Sequence, residues 1–117
     1  MIDRVRLTAT AKNQLSVLKR RTGIQHYNSL CRHALCLSLK NESPMPQEDY
    51  DFSNGLEIDW QTLAGSASTT LTNLVLMDLH VNNYSNDVSP KALAVMHIHR
   101  GLSYLLSQNE SYISDAL

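Results

Sequence analysis

The amino-acid sequence predicts a mainly α-helical domain of four helices, opened by a short N-terminal strand and carrying a second short strand or extended segment near residues 56–60. Three observations carry this prediction. Residues 2–8 alternate apolar and polar side chains, the two-residue period of a half-buried strand. From about Ala9 the apolar period lengthens to that of a helix. Turn signals at Thr22-Gly23, Ser43-Pro44-Met45-Pro46, Asn54-Gly55 and Ser89-Pro90 then cut the chain into helix-sized pieces. With 117 residues, 43% of them hydrophobic, and few Gly and Pro, the composition fits one compact domain over 1–117.

In the strand, Val5 and Leu7 point one way and Arg4, Arg6 and Thr8 the other. The first helix places Ala11, Leu15 and Leu18 on one face beside a polar arc of Lys12, Ser16, Lys19 and Arg20, with Thr8 or Thr10 able to cap its start. Arg20-Arg21-Thr22-Gly23-Ile24 reads as a helix end, basic residues complementing the carboxyl terminus and Gly23 free to take positive φ. Thr22 and Gln25 also have the spacing of a capping box for the next helix.

That second helix, about 25–40, is apolar over more than half its circumference and needs covering on several sides. Cys31 and Cys36 read as buried thiols within it. Five residues apart, they lie ~140° apart around the axis and cannot bond each other. Residues 41–55 are acidic and turn-rich, which predicts a solvated loop. Leu56, Ile58 and Trp60 then alternate with Glu57 and Asp59 as in a strand. The third helix runs from about Ser68 to Asn83, with Leu71, Leu74, Val75, Leu79 and Val81 on its apolar side. The fourth begins at the Ser89-Pro90 cap and continues to about Ser107. So much apolar helix surface on a chain this size predicts a symmetric homo-oligomer, dimer or tetramer.

Charge is distributed unevenly. Residues 1–40 hold eight Lys and Arg (Arg4, Arg6, Lys12, Lys19, Arg20, Arg21, Arg32, Lys40) against Asp3 alone, while the remainder holds only Lys91 and Arg100 against ten acids. Ordinary surface helices mix both signs, so a basic stretch free of acids points to a polyanion, nucleic acid first. The order strand, helix, turn, helix also matches a ribbon-helix-helix module, in which the strands of two chains pair and Arg4, Arg6 and Thr8 enter the major groove. The competing arrangement pairs the strand within its own chain, with residues 56–60.

Catalytic signatures are missing. The sequence has no GxSxG, P-loop, GxGxxG, HExxH or CxxC. His97 and His99 lie ~200° apart on a helix and cannot share one ion there. We therefore expect no cofactor, no metal and no enzymatic activity. No run reaches the ~20 apolar residues of a membrane span, and the N-terminus lacks a signal peptide's apolar stretch, so the expected location is cytoplasmic. Asp78 and Arg100 both fall in apolar helix arcs, which predicts an ion pair between them.

Two stretches carry a family resemblance. Leu18-Lys19-Arg20-Arg21-Thr22-Gly23-Ile24, followed by Asn28-Ser29-Leu30-Cys31-Arg32 and Leu35-Cys36-Leu37-Ser38-Leu39, resembles the N-terminal signature of the DndE family of DNA sulfur-modification proteins. His97-Ile98-His99-Arg100-Gly101-Leu102-Ser103-Tyr104-Leu105 is similar to that family's C-terminal signature, and the resemblance spans nearly the whole chain. It implies a place in the bacterial phosphorothioation system, which exchanges a non-bridging phosphate oxygen of DNA for sulfur and assigns cysteine desulfuration and ATP-dependent steps to other components. It carries over Lys19, Arg20, Arg21 and Arg32 as basic positions and His99, Arg100 and Gly101 as signature positions, without a catalytic role for any of them.

Residues and resemblance together predict a non-catalytic DNA-binding subunit of the phosphorothioation machinery, gripping the duplex backbone through Lys12, Lys19, Arg20, Arg21, Arg32 and Lys40 with Arg4 and Arg6. Its expected partners are double-stranded DNA, with a preference for nicked or bent duplex, and other proteins of the system. The first alternative is a ribbon-helix-helix transcriptional regulator. Others are a thiol enzyme working through Cys31 or Cys36 and a scaffold whose basic end grips an acidic protein.

Overall fold

The computed structural model describes residues 2–46 and 48–116, with side chains as far as residue 108. Strand β1 (Arg4–Leu7) leads into α1 (Ala9–Thr22) and α2 (Tyr27–Lys40). Strand β2 (Leu56–Asp59) is followed by the one-turn helix α3 (Trp60–Ala64), a 3-10 turn (Gly65–Ala67), α4 (Ser68–Val81) and α5 (Pro90–Ala116). Four long helices and a two-stranded antiparallel sheet thus realise the predicted class.

β1 pairs with β2 of its own chain, Arg4 opposite Asp59 and Leu7 opposite Leu56. Of the two arrangements open to the N-terminal strand, the intrachain one is formed. Val5 and Leu7 are fully buried while Arg4 and Arg6 face solvent, as the two-residue period requires. The sheet is closed tightly at its end: Asn54 takes positive φ, and a Cβ on Gly55 would stand 1.8 Å from the Leu7 carbonyl oxygen.

Thr8 caps α1, its hydroxyl accepting from the Ala11 N–H at 3.1 Å. Ala11, Leu15 and Leu18 are the buried face of that helix. Gly23 ends it with φ 75° and donates to Lys19 O. The capping box does not form. Thr22 spends its hydroxyl inside α1, donating to Leu18 O and accepting from the Ile24 N–H, and α2 starts two residues later than expected, behind His26, which gives no side-chain cap.

α2 and α5 form the central pair, with α1, β1 and α4 laid against α5 and α3 against α2. A Cβ on Gly101 would lie 1.8 Å from Ala34 O, so the two backbones touch at their crossing. Trp60 is buried behind the Asp59 cap of α3, its indole N–H donating to the Thr72 hydroxyl at 3.0 Å.

Several expectations need correction. Cys31 is buried but Cys36 is exposed; the buried arc of α2 centres on Leu30, Ala34, Leu35 and Ser38, and Cys36 falls outside it. On α4, Leu71 and Val75 are buried whereas Leu74 and Val81 are exposed, because that helix is covered on one side only. α5 runs on to Ala116 instead of ending near Ser107, since no Gly or Pro interrupts residues 102–116. The α3 turn and the 3-10 turn after it are too short for a periodicity signal.

Candidate nucleic-acid interface

The predicted basic set divides into three environments. Lys19, Arg20 and Arg21 stand together in the last turn of α1, all exposed, directly before the Gly23 turn. Lys12 is exposed on the same helix. Lys19 leans over the Tyr27 ring, 5.7 Å from its centroid, which ties the end of α1 to the first turn of α2. Among the described residues no ion pair engages Lys12, Lys19 or Arg20.

Arg4 and Arg6 occupy a different setting. Register brings acids of β2 beside them: Arg4 Nη1 lies 3.2 Å from Glu57 Oε1, and Arg6 stands over the Phe52 ring at 5.3 Å. The sheet surface is therefore mixed in sign although residues 4–41 contain no acid. Arg32 is half-buried and turned inward, its Nε donating to Leu63 O at 2.8 Å, and so links α2 to α3. Lys40 is exposed at the last position of α2.

Behind this surface, α5 directs the His97–Gly101 stretch into the core. Arg100 is 9% exposed and, among the described residues, has no carboxylate partner. Its guanidinium donates to Ser38 O and Ser43 O and, through Nε, to Ser38 Oγ at 2.8 Å. It thereby satisfies carbonyls at the negative end of the α2 dipole. The predicted Asp78–Arg100 ion pair is absent and two neutral groups bridge the charges instead. Arginine can only donate, so Ser38 Oγ accepts from Arg100; the Asp78 carboxylate can only accept, so His97 Nε2 carries the proton, and with the buried ring neutral its Nδ1 accepts from the Ser38 hydroxyl at 2.7 Å. His97 Nε2–H then donates to Asp78 Oδ2 at 2.7 Å. With the ring neutral, the chain of hydrogen bonds runs one way, from cation to carboxylate, through the Nε2–H tautomer of His97. Tyr84 adds a hydroxyl donor to the same carboxylate oxygen at 2.8 Å.

His99 faces another side. Its Nε2 accepts from the Thr8 N–H at 3.2 Å, so Nδ1 carries the proton and donates to Val95 O at 2.7 Å. Its ring lies 4.4 Å from that of Tyr50, which in turn stacks on Phe52. The HxH pair thus serves two separate elements. Burial holds both imidazoles below their ordinary value, against the pull of Asp78 on His97 and of the Val95 carbonyl on His99. Burial also pushes the Asp78 carboxyl up, but hydrogen bonds from His97, Tyr84 and Asn82 outweigh it and leave the group below its usual range.

The line Asp78, His97, Ser38 has the membership of a hydrolase triad, closed off from solvent. Ser38 is fully buried, and its oxygen is already held between Arg100 and His97. The Cys31 thiol is pushed up to about 12 by burial, so it is not a thiolate at neutral pH. Sequence reasoning missed Ser38, Asn41 and Ser43 as partners of Arg100. A buried Ser in an otherwise apolar arc of α2, directly before the helix end, was the available signal.

The comparisons with known proteins fit this architecture. A family model described as DNA sulphur modification protein DndE matches residues 4–112. Among solved structures, the chain is similar to DndE from Escherichia coli B7A, involved in DNA phosphorothioation modification, with a TM-score of 0.72 at 23% identity, covering 90% of this chain and 98% of that one. It is also similar to a glycine-to-lysine mutant of DndE involved in DNA phosphorothioation, with a TM-score of 0.64 at 21% identity, covering 92% and 99%. At these identities the structural likeness speaks for the fold. No curated protein matches the sequence.

Proposed function

The chain belongs to the DndE family of DNA sulphur modification proteins, and from that premise we propose that it serves DNA phosphorothioation as a non-catalytic subunit that grips the duplex backbone. The observation that carries this reading is the exposed cluster Lys19, Arg20 and Arg21 in the last turn of α1, with Lys12 on the same helix. Lys and Arg side chains attract phosphates without regard to base sequence, by releasing condensed counterions. Arg4, Arg6 and Lys40 are secondary contacts at most, the first two being shared with Glu57 and Phe52. Arg32 supports the interface from behind through Leu63.

Backbone recognition suits a system whose chemistry takes place on a phosphate. A nicked duplex bends more easily toward a rigid basic surface than an intact one, which is the basis for a preference for nicked DNA. The protein works as a symmetric homo-oligomer in the cytoplasm, where repetition of the basic end multiplies phosphate contacts, and it operates beside the other proteins of the phosphorothioation system. Among the described residues no helix is long and apolar enough to cross a membrane.

A binding titration over several salt concentrations, comparing intact duplex, nicked duplex and single strand, tests the reading. The expected result is sequence-independent binding with a steep salt slope that flattens when Lys19, Arg20 and Arg21 are changed to Ala, and tighter binding of the nicked duplex. Equal affinity for intact and nicked duplex removes the nick preference. Absence of binding to all three DNAs removes the DNA-gripping role and turns the basic end toward an acidic protein.

A further inference from the structure

Between the start of α1, the acidic loop ahead of β2 and the side of α5 that carries His99 and Ser103 lies a groove of about 770 Å³. Its apolar lining includes Met45, Tyr50, Met96 and Tyr104, with the His99 ring against Tyr50. Glu48, Asp49 and Asp51 border it and are exposed, and among the described residues none of the three is in an ion pair. Of the lysines and arginines only Arg100 touches the groove, and its guanidinium is engaged by the Ser38 and Ser43 carbonyls. Aromatic surface and uncompensated negative charge therefore meet in one place.

We propose that this groove docks an arginine-bearing segment of a partner protein, the guanidinium seated against its rings and held by its carboxylates. Two observations select that occupant. The first is the use the chain itself makes of these rings. Phe52 stacks on Tyr50 and Tyr50 on His99, with centroid separations of 6.1 and 4.4 Å, and Arg6 sits over Phe52 at 5.3 Å. Arg100 lies 5.9 Å from the centroid of Tyr104, another ring of the groove. A planar, weakly hydrated guanidinium gains more from an aromatic face than an ammonium does. Among the described residues no cation covers Tyr50, which lines the groove between Phe52 and His99 in that stack.

The second observation is charge. Carboxylates at 48, 49 and 51 repel a nucleic acid and attract a cation, and an arginine fork can engage two carboxylate oxygens at once. The inference goes beyond the DNA-gripping role and does not depend on it. The groove borders Thr8, Ala9, Thr10 and Ala11, at the opposite end of α1 from Lys19, Arg20 and Arg21, so one end of that helix can face a duplex while the other faces the partner protein.

Fluorescence anisotropy of a labelled glycine peptide carrying two arginines, titrated with the full chain at fixed salt, tests this. Saturable binding is expected, and the matching lysine peptide should bind more weakly. Glu48→Gln with Asp49→Asn should weaken arginine-peptide binding about five- to tenfold. Circular dichroism of that variant should not change, since both side chains are exposed. Glu42→Gln with Asp87→Asn removes the same charge away from the groove and should leave peptide affinity at the wild-type level. An equal loss in that control overturns the site in favour of general attraction to an acidic chain. Equal binding of the lysine peptide, or full displacement of the arginine peptide by spermidine at the same concentration, overturns guanidinium recognition. No binding of the arginine peptide overturns the proposal outright. The groove variant should keep the DNA affinity of the wild-type chain, and a matching loss of DNA binding overturns the separation of the two surfaces.

Discussion

The last turn of α1 and the crossing of α2 with α5 lie in the two stretches that carry the family resemblance in the sequence, and their side chains are placed in opposite settings. At the first, Lys19, Arg20 and Arg21 project into solvent. At the second, His97, Arg100 and Gly101 are buried: a relay of hydrogen bonds, a cap on the carboxyl end of α2, and a point where two backbones touch. A histidine-rich signature invites a catalytic or metal-binding reading, yet here its residue types are accounted for by packing. The surface proposed for DNA belongs to the less conspicuous stretch, whose side chains are exposed.

Substitutions that separate stability from binding sharpen this contrast. The largest effect on folding is expected from Gly101→Ala, whose methyl group would overlap Ala34 O; unlike a flexible side chain, that backbone has little room to yield, and the loss should reach about 3 kcal/mol in urea unfolding. An unchanged midpoint would mean that α2 and α5 can separate without cost. Arg100→Met should lose about 2–3 kcal/mol, because carbonyls at the end of α2 and the Ser38 hydroxyl lose a charged donor together. In both variants the DNA affinity of the folded fraction should stay at the wild-type level.

Acid should act on the seam before it acts on the carboxylates. His97 and His99 are held below their ordinary value of 6.5, so the unfolded chain takes up protons first as pH falls. Their contribution is complete above about 6.5 and is lost as pH drops from there toward the folded values, while that of Asp78 is lost only below its ordinary 3.8. Urea midpoints measured from pH 8 to pH 5 should fall, and His99→Asn should flatten the decline. A midpoint independent of pH in that window would contradict the neutral tautomers assigned to both rings.

The smallest effect on folding is expected at the other region. Arg20→Ala should change stability by no more than about 0.5 kcal/mol, as for exposed positions generally. Its effect should appear in binding, where each lost phosphate contact reduces the slope of log affinity against log salt by about 0.9 on duplex DNA. A large loss of stability here would erase the distinction between the two regions.

Much of this was legible because it depends on local order. The period change near Ala9 follows from which side chains must leave water, and both ends of α1 and the start of α5 follow from Thr8, Gly23 and Ser89, whose preferences act over three or four residues. The charge bias of the first forty residues was equally plain, but its meaning was not. β2 returns from fifty residues away to set Glu57 beside Arg4, and Leu63 turns Arg32 inward, while the last turn of α1 keeps Lys19, Arg20 and Arg21 together at the surface.

The predicted Asp78–Arg100 ion pair failed for the same reason. An acid and a cation in apolar arcs had to be compensated, but which atoms stood between them depended on how α2, α4 and α5 cross. Sequence alone determined the four long helices to within a few residues at most of their ends, the first strand and the charge bias of the first forty residues, because propensity, period and capping act along the chain. Tertiary structure decided that β1 pairs at home, that Arg100 reaches the end of α2 instead of Asp78, and that one side of α4 stays uncovered. Those outcomes depend on distances between segments far apart in sequence, which no local pattern encodes.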